Sequence, residues 1–193
     1  MRRSSVSLNI TSPPRQNQSR ITPYLICFAM PVRPIIPMTL FSALKAMKRG
    51  FIAKPHTADC LLELYGETPE EIFDQSARAL LHEMTGRSPE QVAAGKTISY
   101  DTITLHAPSL PWLLVDWLNE LIYRYDVRHS YTVETRINRL ECSPANQFTL
   151  HAEIGTVPVA DDLAQIQFKA ATYHDLRFER TPDGWIAQVV LDV

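Results

Sequence analysis

From Phe51 onward, apolar and polar residues recur with two alternating periods, one of helices and one of strands. The apolar run Cys60 to Tyr65 has the length of a buried strand, and Gly66 ends it. Thr68-Pro69-Glu70-Glu71 then supplies a helix N-cap, a proline for the first helical position and a capping-box glutamate. In the helix that follows, Ile72, Phe73, Ser76, Ala77, Leu80, Leu81 and Met84 fall on one face, and Gly86 stops it. Lys96 to His106 reads as a strand. Its apolar phase shifts between Ile98, Tyr100 and Ile103, Leu105, which predicts a bulge. Ser109 caps a second helix with Pro111 in its first turn, and Leu113, Leu114, Trp117, Leu118, Leu121, Ile122 and Tyr125 form its apolar stripe. Asp116, Glu120 and Arg124 follow one another at four-residue spacing on the other side. They read as a solvated row in which Glu120 and Arg124 pair.

Beyond the second helix the pattern is that of strands: Tyr131 to Leu140, Phe148 to Ile154, Gln165 to Thr172, Leu176 to Glu179 and Trp185 to Leu191. Pro182-Asp183-Gly184 is a turn signal that joins the last two as a hairpin. Strand, helix, strand, helix and then a β-rich half predict an α+β fold, with two helices packed on one face of a mainly antiparallel sheet.

Residues 1–46 stand apart. They are rich in Arg, Ser and Pro, and the apolar patch Tyr24 to Met30 is followed at once by Pro31, Pro34 and Pro37. The patch is too short for a membrane span. The segment is expected to be an extension outside the folded unit, either a start assigned too far upstream of Met47 or a disordered or targeting presequence, with residues 47–193 as the domain. Charge divides at a similar point: residues 1–58 carry nine Lys or Arg and no acid, whereas the rest carries ten basic and 21 acidic residues, a formal charge of −11. So acidic a body is not built to grip nucleic acid directly. Cys27, Cys60 and Cys142 are an odd, scattered set without metal-ligand spacing, which suits a reducing cytoplasm.

The candidate chemistry lies at two places far apart in the chain. The apolar run ending at Leu191 carries Asp192 and the Val193 carboxylate to the edge of a core, where neighbouring anionic groups lose hydration and repel each other unless a cation joins them. Asp59, at the head of the first strand, is a second carboxylate of this kind. Asp59, Asp192 and Val193 would offer hard oxygen ligands for calcium, magnesium or manganese. His56 and His174 are candidates to orient a carboxylate, against a purely structural hydrogen-bonding role. No nucleophile-and-base pair or phosphate-cradling glycine loop is recognisable in the sequence, so no residue is assigned a catalytic role.

Four segments in order, His56-Thr57-Ala58-Asp59, Leu113 to Leu121, Lys169-Ala170-Ala171-Thr172-Tyr173-His174 and Leu191-Asp192-Val193, resemble the archease family across essentially all of residues 50–193. The resemblance implies an archease-like sandwich and a cytoplasmic accessory protein, not an enzyme. Its partner would be the GTP-dependent, manganese-dependent RNA ligase that joins 3′-phosphate or 2′,3′-cyclic-phosphate ends to 5′-hydroxyls in tRNA splicing and RNA repair, with RNA met only indirectly and no membrane involved. Such proteins promote guanylylation of the ligase and so permit multiple turnover. The resemblance also implies a metal site at Asp59, Asp192 and Val193, with Lys169 as the functional lysine, which would balance excess negative charge or meet a phosphate. The alternative is a plain ion-pair network of Lys169 with the two aspartates. This chain departs from the family pattern at Pro55 and Cys60, and it has Pro158-Val159-Ala160-Asp161-Asp162 where the family carries an Asp-Pro-x-Arg-His segment. The competing class is a metal-dependent hydrolase or nucleotide-processing enzyme in which the same carboxylates activate water. A metal-free, chaperone-like binding module is a third.

Overall fold

The computed structural model describes residues 49–55, 59–159 and 163–193. The remaining segments, which include the extension 1–46, His56 and Asp161-Asp162, lie outside the described residues. The elements run β1 (Gly50–Pro55), β2 (Asp59–Gly66), α1 (Pro69–Thr85), α2 (Pro89–Ala93), β3 (Ser99–Ala107), α3 (Leu110–Arg128), β4 (Ser130–Cys142), β5 (Phe148–Pro158), β6 (Ala170–Thr181) and β7 (Gly184–Asp192). The fold is α+β, and every strand pairing is antiparallel. The strands divide into a four-stranded sheet of order β1-β2-β7-β6 and a three-stranded sheet of order β3-β5-β4.

Local chemistry sets the helix ends. Thr68 Oγ1 accepts from the Glu71 N–H at 3.3 Å, while the Glu71 carboxylate accepts from the Glu67 N–H at 2.8 Å, one residue earlier than in a standard capping box. Gly86 closes α1 at φ 66°, a left-handed conformation that costs a glycine little, and its N–H bonds to the His82 carbonyl. Ser109 caps α3. The β6–β7 hairpin turns at Pro182-Asp183, and Gly184 follows at φ 137° with so little room that a Cβ there would stand 2.5 Å from the Gly66 carbonyl oxygen.

Each long helix packs against both sheets, α1 on β2 and β4 and α3 on β6, β3 and β4. Two partners demand a wider apolar face than one stripe. Ala79 on α1 and Val115 on α3 are accordingly buried along with the expected rows, and Trp117, Phe73, Leu62, Leu150 and Phe168 fill the interior between them. Among the described residues no helix is long and apolar enough to cross a membrane.

The structure corrects several expectations. β3 pairs with β5 without interruption from Ser99 to Ala107, so the bulge expected there does not form. The shift in apolar phase arises because Ile98 and Tyr100 both lie over Gly155, whose missing side chain leaves them space. The register shifts occur instead in β4, between Thr132 and Glu134 and between Ile137 and Arg139, and in β6, between Thr172 and Arg177. The strands expected at Gln165 to Thr172 and Leu176 to Glu179 become one, β6, which starts at Ala170. Gln165 and Ile166 instead turn their N–H groups to the Met84 carbonyl at the end of α1. Nor is the polar row on α3 wholly solvated. Arg124 is only 5% exposed, with Nη1 2.7 Å from Asp101 and Nε 2.8 Å from Glu120. The hydrogen bond from Arg124 is the main reason that the Asp101 carboxyl is held below its usual range.

Candidate carboxylate and lysine site

The site follows from strand phase. On β2, Cys60, Leu62 and Leu64 point into the core, and across the ladder they oppose Leu191, Val189 and Ala187 of β7, which are buried as well. Side chains alternate along a strand, so the next register pair, Asp59 with Asp192, lies on the other face of the same sheet. Residues directly opposed in an antiparallel pair hold their Cβ atoms about 4.5–5.5 Å apart. Two carboxylates are thereby set side by side at the end of the central strand pair, both of them partly buried.

On the far side of β7, Asp192 is opposed by Ala170 of β6. The preceding residue, Lys169, is tied to the same strand end twice. Its N–H donates to the Asp192 carbonyl at 2.9 Å, and its ammonium donates to the main-chain oxygen of Val193 at 2.8 Å. Asp59, Asp192 and Val193, together with the lysine that the family resemblance adds, Lys169, are therefore brought to one end of the sheet. His56 lies outside the described residues. His174 sits within the β6 irregularity, largely exposed, with Nε2 3.4 Å from Asp175. It lies four residues along the chain from Ala170, which opposes Asp192. Cys60 adjoins Asp59 in sequence but faces the core, where burial, and to a lesser extent Glu83, push its thiol up to about 11.

Sequence reasoning passed over Asn119. From α3 its side chain donates Nδ2–H to the Ala171 carbonyl at 3.2 Å and accepts the Ala171 N–H at Oδ1 at 2.8 Å. This amide completes the hydrogen bonding of edge strand β6, two residues beyond Lys169. The signal was available: an asparagine in mid-helix, beside an apolar stripe, gives up helix propensity and calls for a partner. Asn119→Ala leaves both Ala171 backbone groups without this partner. It is expected to lower stability by about 1–3 kcal/mol in urea unfolding and to speed hydrogen exchange at the Lys169 to Thr172 amides.

One turn before Asn119, Asp116 accepts the Tyr173 hydroxyl at 3.4 Å, and Tyr173 packs against Trp112 with ring centroids 5.0 Å apart. Burial raises the Asp116 carboxyl above its usual range, and the Tyr173 hydrogen bond only partly offsets that. A raised pKa in the folded state means that the folded chain binds more protons than the unfolded one. The associated stability is present at acid pH and lost as pH rises through the folded pKa, so ionised Asp116 is a cost to the neutral protein.

The residues of the carboxylate pair fit a hard divalent cation. Both side chains offer oxygen, and the Val193 main-chain oxygen retains a lone pair beside its bond from Lys169. Among the described residues no three His, Cys, Asp or Glu side chains cluster as a ligand set. An ion here would complete its shell with water or with groups from another molecule.

The sequence pattern of the archease protein family matches residues 51–193. Protein archease of Methanosarcina barkeri is 35% identical over 145 residues, covering 72% of this chain and 92% of that relative. A solution structure of a Methanobacterium thermoautotrophicum protein superposes with a TM-score of 0.60 at 23% identity, over 76% of this chain and 100% of the other, so the two share a fold. A crystal structure of a Thermotoga maritima archease, described as a possible chaperone, matches at a TM-score of 0.42 and 22% identity, over 74% of this chain and 98% of that one. By the extent of the family match and the identity to its members, the chain belongs to the archease family.

Proposed function

We propose that this chain is an accessory protein that activates the GTP-dependent RNA ligase sealing 3′-phosphate or 2′,3′-cyclic-phosphate ends, by promoting guanylylation of the ligase and so allowing repeated turnover in tRNA splicing or RNA repair. Family membership supports a protein partner, and the observation that carries the reading is the direct opposition of Asp59 and Asp192 with Lys169 anchored beside them. Asp59, Asp192 and the Val193 oxygen would hold a calcium, magnesium or manganese ion. The ion would supply positive charge for nucleotide phosphates, with coordination positions left for groups of the ligase. Lys169 acts as a point charge: its flexible ammonium releases the Val193 oxygen and meets a phosphate oxygen when nucleotide is brought near. Asn119 keeps the strand that carries Lys169 in place. The acidic body leaves RNA to the ligase, and the setting proposed for this work is the cytoplasm.

RNA sealing by the cognate ligase, followed with and without this chain, tests the proposal. The expected result is a single round of ligation by the ligase alone and many rounds with the chain present, with faster formation of the guanylylated ligase. Lys169→Ala is expected to slow guanylylation about tenfold or more, the order of one lost charge-assisted hydrogen bond, while divalent-ion binding measured by calorimetry persists. Equal turnover with and without the chain overturns the proposal.

A further inference from the structure

Trp112 and Tyr173 are about half exposed, at 50% and 52%, although each is large enough to cover a substantial part of a core. They come from separate elements, the first turn of α3 and the β6 irregularity, yet their rings meet at 5.0 Å with planes tilted by 49°. Asp116 lies one helical turn beyond Trp112 and touches Tyr173 through a single long hydrogen bond of 3.4 Å to Oδ1. No ion pair engages this carboxylate among the described residues. Two half-exposed aromatic rings therefore lie beside a carboxylate that no ion pair engages among the described residues, and burial of that carboxylate disfavours its ionised form. A cationic ligand would offset that cost.

We infer that Trp112, Tyr173 and Asp116 form a recognition notch for an arginine side chain presented by a partner protein. A guanidinium is flat, weakly hydrated and permanently charged. It can stack on an aromatic face while its N–H edge meets a carboxylate, which a compact, strongly hydrated ammonium does less well. Charge complementarity points the same way, because residues 59–193 carry a formal charge of −11, which draws a basic protein surface and repels RNA and anionic lipid. The notch also lies near the carboxylate and lysine site. Tyr173 is four residues beyond Lys169, a separation that cannot exceed about 13 Å of chain, so a protein that covers one reaches the other. That this protein is the RNA ligase rests on the function proposed above, whereas the guanidinium preference of the notch does not.

The test has two arms. In the first, Nα-acetyl-arginine amide is titrated into the ¹⁵N-labelled full chain and the indole N–H signals are followed. Trp117 and Trp185 are buried, so Trp112 supplies the exposed indole as the reporter. The expected result is a saturable shift of the Trp112 signal, several-fold weaker with Nα-acetyl-lysine amide at matched ionic strength and several-fold weaker again in Asp116→Asn, a substitution that keeps the shape of the side chain. A Trp112 signal that does not respond to the arginine probe, or responds equally to the lysine probe and in Asp116→Asn, overturns the inference. In the second arm, Trp112→Ala and Asp116→Asn are each expected to weaken ligase binding about tenfold while divalent-ion binding is unchanged. Unaltered ligase affinity in both variants, with the arginine probe still bound by the wild type, overturns the assignment of the arginine to the ligase. Failure of the wild-type chain to bind the ligase at all overturns the proposed function, and the first arm still decides the notch.

Discussion

Asp192→Ala is expected to abolish divalent-ion binding and ligase activation while changing the stability of the metal-free chain by no more than about 1 kcal/mol. The two effects separate because of strand phase. Leu191, Val189 and Ala187 hold the core face of β7, and the Asp192 side chain lies on the other face. The backbone of residue 192 keeps its pairing with β2 and β6 and its bond from the Lys169 N–H whatever the side chain. The proposed ion, by contrast, loses one of only two side-chain ligands. Calorimetric titration with calcium, magnesium and manganese, chemical unfolding and multiple-turnover ligation measure the three quantities independently, and Asp59→Asn is expected to repeat the pattern with less change in shape. If Asp192→Ala activates the ligase like the wild type at limiting GTP, with its ion binding verified as lost, a metal-assisted role is wrong and docking alone accounts for the activity.

The carboxylate pair was legible because it depends on quantities that a sequence carries. An apolar run fixes which alternate residues face the core, and a polar residue at the end of the run then belongs to the other face. Meeting a distant partner there requires the register of β2 on β7, which no local pattern encodes; the pairing was suggested by two carboxylates that each call for a cation, and the resemblance to archeases added Lys169 to it. Other features escaped for specific reasons. β1 is six residues, Gly-Phe-Ile-Ala-Lys-Pro, too short and mixed to stand out from the basic stretch before it, and it forms because β2 offers an edge. Ile166, Phe168 and Ala170 alternate as a strand would, but the backbone before Ala170 folds over the end of α1, where the Met84 carbonyl takes its N–H groups. Arg124 read as solvated because its stripe position was judged against one covering sheet. The second sheet brings Asp101 over it, and a long side chain with a delocalised charge tolerates that burial when both of its carboxylate partners are in place. The notch at Trp112 and Tyr173 joins residues 61 apart in sequence that share no periodic pattern, so only the packing of α3 on β6 reveals it.

The largest loss of stability is expected from Trp117→Ala. Trp117 is fully buried, its ring packs edge-on against Phe73 at 6.5 Å, and its indole N–H donates to the Phe73 carbonyl at 3.1 Å, which ties α3 to α1. Truncation removes a large buried aromatic from a helix that contacts both sheets, and the cavity left behind cannot collapse without moving one of them. The cost is about 3–5 kcal/mol, a large fraction of the roughly 5–15 kcal/mol that holds a domain of ordinary size together. Trp117→Phe should cost much less. The Phe73 carbonyl also accepts the Ser76 hydroxyl at 2.7 Å, so loss of the indole leaves it bonded and only the missing volume is felt. Urea unfolding of the two variants checks the order and the gap between them. The same pair tests how the core serves the site. Asn119 follows Trp117 by two residues and clamps Ala171, so loosening α3 loosens the strand that presents Lys169. Trp117→Ala, assayed at a temperature where it remains folded, is expected to show faster hydrogen exchange at Ala171 and weaker ligase activation, with Trp117→Phe close to wild type in both. Normal activation by a folded Trp117→Ala chain would mean that Lys169 does not depend on the position of α3, and the link drawn from the core through Asn119 to the site would fail.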